Sequence, residues 1–223
     1  MSVQETSDPV LKAVFPALDG FGLSLAPAGP CPKRILDLSV AAVAILVLLP
    51  VLALITLAIA LDSKGPILFR QRRAGEGGKL FGIYKFRSMH VMEDGTNVVQ
   101  ALKGDARITR VGRFLRASSL DELPQLFNVL SGEMSLVGPR PHAIAHDEFY
   151  SARIPNYRLR HQVKPGMTGW AQVHGARGAT TELADMQRRI DFDAWYVANE
   201  SIWLDLFILA RTPIEVLRHR NAV

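Results

Sequence analysis

The run LSVAAVAILVLLPVLALITLAIAL, residues 38–61, decides how this chain is read. It carries no charge, and Ser39 and Thr56 are its only polar side chains. As a helix rising ~1.5 Å per residue it extends roughly 36 Å, enough to cross the hydrocarbon core of a bilayer. The core helix of a water-soluble domain keeps a polar stripe, whereas this run is apolar all round. Lys33 and Arg34 precede it; Lys64, Arg70, Arg72 and Arg73 come after it. A helix that crosses a membrane keeps its basic flank on the cytoplasmic side. Here both ends are basic, and Pro50 in the middle removes a helical hydrogen bond and bends the axis. Together these features favour a helix that enters and leaves by the cytoplasmic face. A straight span is the alternative. Ala58-Ile59-Ala60 has the small-residue pattern of a cleavage site, but the apolar run is too long and starts too far from Met1 for an ordinary secretory signal.

The rest of the chain arranges itself around that segment. Residues 1–32 hold Pro9, Pro16, Pro27, Pro30 and Pro32 with several glycines and no helical period, which predicts a flexible tail. Residues 33–62 form the re-entrant membrane helix, and 63–223 the working domain. The fold class expected is α+β, mostly helical, with a small cytoplasmic domain of helices and short strands behind the membrane helix. With 48% hydrophobic and 21% charged residues, the 223-residue chain is neither disordered nor collagen-like. A single cysteine, Cys31, excludes a disulfide framework and a Cys-rich zinc site. The net charge of +5 points to an anionic partner.

In the working domain, residues 66–73 and 79–86 read as two strands of a hairpin about Gly75, Gly77 and Gly78. Thr109 caps a helix running to Arg116. Ser118 or Ser119 caps the next, with Leu123, Leu126 and Phe127 inward, Pro124 in its first turn and Ser131-Gly132 as its stop. Residues 134–137 suggest a strand and 143–150 a helix. Residues 164–178 suggest a loop with a brief strand at 171–173. Long helices are expected over 180–198 and 202–218, the last with Trp203, Leu204, Leu206, Phe207 and Leu209 on a broad apolar surface.

Of the 26 basic residues, 19 are arginine, whose planar fork matches phosphate oxygens. Arg140 lies between Pro139 and Pro141, so its backbone is stiff on both sides. Lys85 and Arg87 alternate with Tyr84 and Phe86 and should project from one strand face. Arg110, Arg113 and Arg116 share a helical face. Among these cations stand two adjacent carboxylates, Asp121 and Glu122. Two readings are open for them. As helix-start residues they complement the dipole, with Ser119 and Glu122 as a capping box. As chemistry, such a pair can hold Mg²⁺, attack phosphorus or take up a proton. There is no phosphate-binding Gly-rich loop ending in Lys-Ser/Thr, no Gly-x-Ser-x-Gly elbow and no His-Glu-x-x-His; His142 and His146, four apart, give no strong ligand pattern. The scattered aromatics and the membrane segment argue against nucleic acid as the anionic partner.

At this point the motifs KRILD (33–37), GPILFRQRR (65–73), YKFRSM (84–89), TRVGRFLRASSLDELPQLFNVLSGEMSLVGPRP (109–141) and KPGMTGWAQVHG (164–175) become recognisable. The chain resembles the bacterial sugar transferases, monotopic polyprenyl-phosphate phosphoglycosyl transferases, from about Lys33 to Val216. The resemblance implies transfer of a hexose 1-phosphate from a UDP-hexose to undecaprenyl phosphate, with UMP released and exopolysaccharide or surface-glycan assembly begun. It implies Asp121 as the nucleophile of a covalent phosphosugar intermediate and a ligand of Mg²⁺, and Glu122 as the helper in proton transfer. Lys85, Arg87, Arg116 and Arg140 become the phosphate-binding set, Pro50 the break in the membrane helix, and the cytoplasmic face of the bacterial inner membrane, among membrane lipids, the location. PRPHAIAH (139–146) and the run 193–206 resemble the glucose-1-phosphate transferases, while the short build resembles galactose-1-phosphate transferases; glucose is the expected hexose, galactose the next. His174 and Glu200 depart from the family's common Asn and Trp. A homodimer stays open, and so does a catalytically silent member that binds UDP-sugar or lipid phosphate as a scaffold.

Overall fold

The computed structural model describes residues 32–90, 105–176, 178 and 182–217, so the tail expected over 1–32 lies, except for Pro32, outside the described residues. Helix α1 spans Pro32–Asp62. Pro32 stands at its first position, where its missing N–H is no loss. Pro50 lies inside the helical run and does not end it. The hairpin is as expected: β1 (Leu68–Ala74) pairs antiparallel with β2 (Leu80–Phe86), Leu68 opposite Phe86. Helix α2 (Arg110–Ser118) starts at Thr109, whose hydroxyl accepts from Gly112 N at 2.9 Å.

Beyond α2 the chain departs from the expectation. Ser119 caps nothing with its side chain; it takes a left-handed backbone, φ 60°, and turns the chain into a short 3₁₀ segment, Leu120–Glu122. Helix α3 (Gln125–Ser131) begins only after Pro124 and stops at Gly132. Its Leu126 is buried, but Phe127, expected inward, is exposed. Strand β3 (Ser135–Val137) precedes helix α4 (Ile144–Ser151). The brief strand expected at 171–173 lies earlier: β4 is Gly166–Thr168, parallel to β3, and the residues after it form the short helix α5 (Trp170–Val173). The parallel pair is set by backbone contact. A Cβ on Gly166 would stand 2.1 Å from Gly138 N, so only glycine permits the approach. Helices α6 (Leu183–Ala198) and α7 (Ile202–Leu217) close the fold. The surface of α7 divides: Leu204 and Leu209 pack inward, while Trp203 is 77% exposed.

Helix α1 belongs to the same compact body as the rest of the described chain. Ala41 is fully buried in the main core with Phe81, Leu126, Val129, Met134 and Ile208, and Ala44 and Ile45 pack against it. Further along, Ile55 and Ile59 form a second core with Phe86 and Leu115. The first turns are held by polar groups. Lys33 Nζ donates to Val137 O at 3.0 Å and Tyr196 OH at 2.9 Å, and pairs with buried Asp205 at 2.5 Å. Arg34 reaches the carbonyls of Val129 and Leu130, at 2.6 and 2.9 Å, at the C-terminal end of α3. Buried Asp37 accepts from Ser135 Oγ and Leu136 N. At the other end Asp62 accepts from Val111 N at 3.2 Å. Both ends of the apolar helix are therefore tied to one domain, while Val43, Leu46, Leu54 and Leu61 on its remaining faces stay exposed.

Candidate active site

The 3₁₀ segment carrying Asp121 and Glu122 is held between its neighbours by apolar contacts. Leu120 and Leu123, on either side of the pair, pack on the second core with Ile55 and Ile59 of α1. The two carboxylates are thereby docked against the second half of the apolar helix α1. Strand β2 delivers Lys85, and Asn128 of α3 fixes that strand: its Oδ1 accepts from Tyr84 N at 2.9 Å and its Nδ2 donates to Gly82 O at 2.8 Å. Arg140 arrives from the segment after β3, which Gly138 N and Gly166 N hold by donating to Thr168 O and Pro139 O, both at 2.9 Å.

The two carboxylates have different surroundings. Glu122 accepts from Lys85 Nζ at 2.8 Å and lies in the fork of Arg140, whose Nη1 is 2.9 Å from Oε2 while Nη2 donates to Oε1. The helix-start role is therefore not the one Glu122 plays, because both of its oxygens are engaged with side chains from elsewhere. Burial works to raise its carboxyl, but Arg140 and Lys85 hold it well below the usual carboxylate range. Lys85 is in turn lowered, chiefly by burial and against the pull of Glu122. Asp121 is 7% exposed and makes no ion pair among the described residues. Burial, then the Glu122 charge, push its carboxyl up to about 6, against the attraction of Lys85, Arg116 and Arg140.

Of the expected phosphate set, Lys85 and Arg140 thus converge on Glu122, while Arg116 attracts Asp121 without pairing with it, its Nη1 lying 4.0 Å from Met89 Sδ. Arg87 makes no ion pair with either carboxylate among the described residues. Its Nη2 donates to Ser63 O at 2.6 Å and Ser63 Oγ at 3.0 Å, just beyond the end of α1. That places it as a clamp between β2 and the end of α1. Sequence reasoning also missed the support behind Arg140. Arg160, 2% exposed, donates to Arg140 O and pairs with buried Asp193 of α6 at 3.1 Å. Its Nη1 contacts His142 Nδ1, which stands 2.7 Å from Tyr157 OH. Burial and Arg160 hold His142 well below its ordinary range, hence neutral. His142 precedes α4, so it and His146 do not share the helix face their spacing suggested. Only the cluster Tyr-Arg-Leu-Arg-His at 157–161 hints at this network in the sequence.

Among the described residues, no group of three or more His, Cys, Asp or Glu side chains gathers for a metal. Mg²⁺ is ordinarily held by one or two carboxylates together with substrate phosphates, and Asp121, free of a cation partner among the described residues, fits that arrangement.

A desolvated carboxylate beside a paired guanidinium and ammonium group is an arrangement suited to chemistry on phosphate groups. Comparison with known proteins makes the class definite. The family model described as bacterial sugar transferase matches residues 29–219, and the chain belongs to that family. It is 54% identical over 207 residues to the UDP-glucose:undecaprenyl-phosphate glucose-1-phosphate transferase of Caulobacter vibrioides, covering 90% of this chain and 78% of that protein. It is 50% identical over 190 residues to the protein of the same description from Klebsiella pneumoniae, covering 85% of this chain but 41% of the longer relative. The exopolysaccharide production protein PSS of Rhizobium leguminosarum bv. phaseoli is 47% identical over 189 residues, 83% of this chain and 94% of that protein.

Proposed function

We propose that the chain transfers glucose 1-phosphate from UDP-glucose to undecaprenyl phosphate, releasing UMP and starting the lipid-linked assembly of an exopolysaccharide. The relatives described as glucose-1-phosphate transferases support the sugar and the lipid. The observation that carries the chemistry is the division of labour between neighbouring carboxylates: Asp121 desolvated and without an ion pair among the described residues, Glu122 clasped by Lys85 and Arg140.

The reaction runs in two displacements. In the first, an Asp121 oxygen attacks the phosphorus that bears glucose; the bond from that phosphorus to the bridging oxygen breaks, and UMP leaves. Lys85, Arg116 and Arg140 draw the phosphate oxygens in and offset the charge that gathers on them. Burial strips Asp121 of water that would blunt its attack. In the second, an oxygen of the polyprenyl phosphate attacks the same phosphorus, Asp121 leaves as a carboxylate, and any proton on the attacking phosphate passes to Glu122. Asp121 would hold Mg²⁺ together with the substrate diphosphate, and the ion when bound would offset the diphosphate charge.

On the same reading α1 lies in the cytoplasmic leaflet of the inner membrane, entering and leaving by one face. Its supports are the basic flanks and the attachment of both helix ends to a single domain. Leu120 and Leu123 then hold the reacting carboxylates close to the membrane, where a lipid phosphate lies.

The test mixes purified protein with UDP-glucose or UDP-galactose and Mg²⁺ without lipid, and weighs the intact protein. A glucose-phosphate adduct mapping to Asp121, with UMP released, is expected. UMP release only in the presence of lipid, with no adduct, would overturn the two-step path. No UMP from any UDP-sugar, with or without lipid, would leave the binding scaffold as the correct reading.

A further inference from the structure

Lys85 and Arg140 aim their donors at one place, and that place is filled. Glu122 Oε1 lies 2.8 Å from Lys85 Nζ, and both Glu122 oxygens face the Arg140 fork. A carboxylate in a guanidinium fork presents the two-oxygen edge that a phosphate presents. Asp121, one residue earlier, has no ion pair with either cation. The seat is also largely withdrawn from water: the side chains of Glu122, Lys85 and Arg140 are 16, 19 and 31% exposed. Two cations so placed need an anion between them. The phosphate-binding groups of the enzyme are therefore already occupied by a group of the enzyme itself.

We propose that Glu122 is a built-in counter-anion, exchanged for a substrate phosphate when the nucleotide sugar binds. The inference rests on the function proposed above. The diphosphate takes the donors of Lys85 and Arg140, and the displaced carboxylate swings free. While paired, both Glu122 oxygens are engaged by donors of Lys85 and Arg140. Binding of the first substrate releases them for the second displacement, and the two cations are at no stage left without an anion.

The experiment measures equilibrium binding of UDP, which carries the diphosphate but no transferable sugar, in EDTA, so that the loss of Asp121 as a holder of Mg²⁺ does not enter. Wild type, Glu122→Gln and Asp121→Asn are compared. Exchange predicts that Glu122→Gln binds UDP at least tenfold more tightly, because the competing anion has left the seat. Asp121→Asn removes a neighbouring negative charge but no contact with the seat, so it should tighten binding less than threefold. Equal tightening in both variants would reduce Glu122 to a repelling charge and overturn the exchange; unchanged or weaker binding in Glu122→Gln would overturn it as well. If Glu122→Gln fails to fold, Glu122→Asp, too short to span both cations, should tighten UDP binding at least threefold, and unchanged affinity there sinks the idea. Release of UMP from UDP-glucose by wild type is measured in parallel, with Mg²⁺. UMP release without tightening in the variants refutes the exchange alone. UDP binding with no UMP from any UDP-sugar refutes the functional reading alone.

Discussion

Replacing Asp121 by Asn should stabilise the protein while silencing it. Burial and the neighbouring Glu122 raise the Asp121 carboxyl from 3.8 to about 6. Because this value lies above that of the unfolded chain, the native state holds the proton more tightly. Stability is therefore lost as pH climbs from about 4 through 6, and the loss is complete above that range. At ~1.4 kcal/mol per tenfold change in proton affinity, it amounts to about 3 kcal/mol at neutral pH. Asparagine has the same shape and no charge to desolvate. At pH 7.5 the Asn variant should be more stable by about 3 kcal/mol, roughly 6–12 °C in melting temperature for a chain of this size. At pH 4 the two proteins should melt together. Thermal unfolding in detergent from pH 4 to 8 reads the difference, and adduct formation is scored in parallel. In wild type, adduct formation needs the ionised carboxylate, so its rate should rise roughly tenfold between pH 5 and 7. A stability difference that does not vary with pH, or an Asn variant less stable at pH 7.5, would show that Asp121 is not a desolvated nucleophile.

Three further outcomes are expected. Lys33→Met leaves buried Asp205 without its cation and Tyr196 without a donor, so the melting temperature should fall by an amount matching about 3 kcal/mol, with part of it restored by Asp205→Asn. Gly166→Ala drives a Cβ into Gly138 N and Thr168 O, at 2.1 and 2.4 Å; it should cost about 1–3 kcal/mol and, by shifting the Arg140 segment, lower turnover more than tenfold in the material that still folds. For topology, Cys31 in the wild-type chain and a lone cysteine at Ser63 in a Cys31→Ser background should both react with an impermeant thiol reagent in inside-out vesicles and not in intact cells; opposite accessibility of the two sites would restore the straight span.

Where a local pattern governs the backbone, the sequence is a good guide. The hairpin of β1 and β2, the Thr109 cap and the stop at Gly132 each depend on a few adjacent residues, and each falls where the pattern puts it. The failures are tertiary. Residues 171–173 have the composition of a short strand, but Gly138 and Gly166 allow β3 to pair earlier in the chain, and α5 takes the remainder. Phe127 sits on the apolar side of its own helix pattern, yet α3 is only seven residues long and other side chains fill the core. No pattern within 125–131 records that competition.

The site shows the same limit more sharply. Asp121, Glu122, Lys85 and Arg140 are visible as residue types because carboxylates and cations crowd into short motifs, but spacing says nothing about which charge meets which. Glu122 can equally cap a helix, wait as a base or fill a phosphate seat, and all three fit LDELPQ. The choice is made by Arg140, eighteen residues away, and Lys85, thirty-seven away, through contacts that α3 and β3 arrange. Arg87 runs the other way. It alternates correctly with Lys85 in YKFRSM, yet Ser63 at the end of α1 captures its guanidinium. Lys33, Arg34 and Asp37 are legible in the sequence only as a charged flank, and the structure makes them the ties between the apolar helix and the domain. A motif of this kind records that charges must meet. Which charges meet depends on how the apolar helix docks, since Ile55 and Ile59 bring Leu120 and Leu123, and with them both carboxylates, to the place where the cations wait.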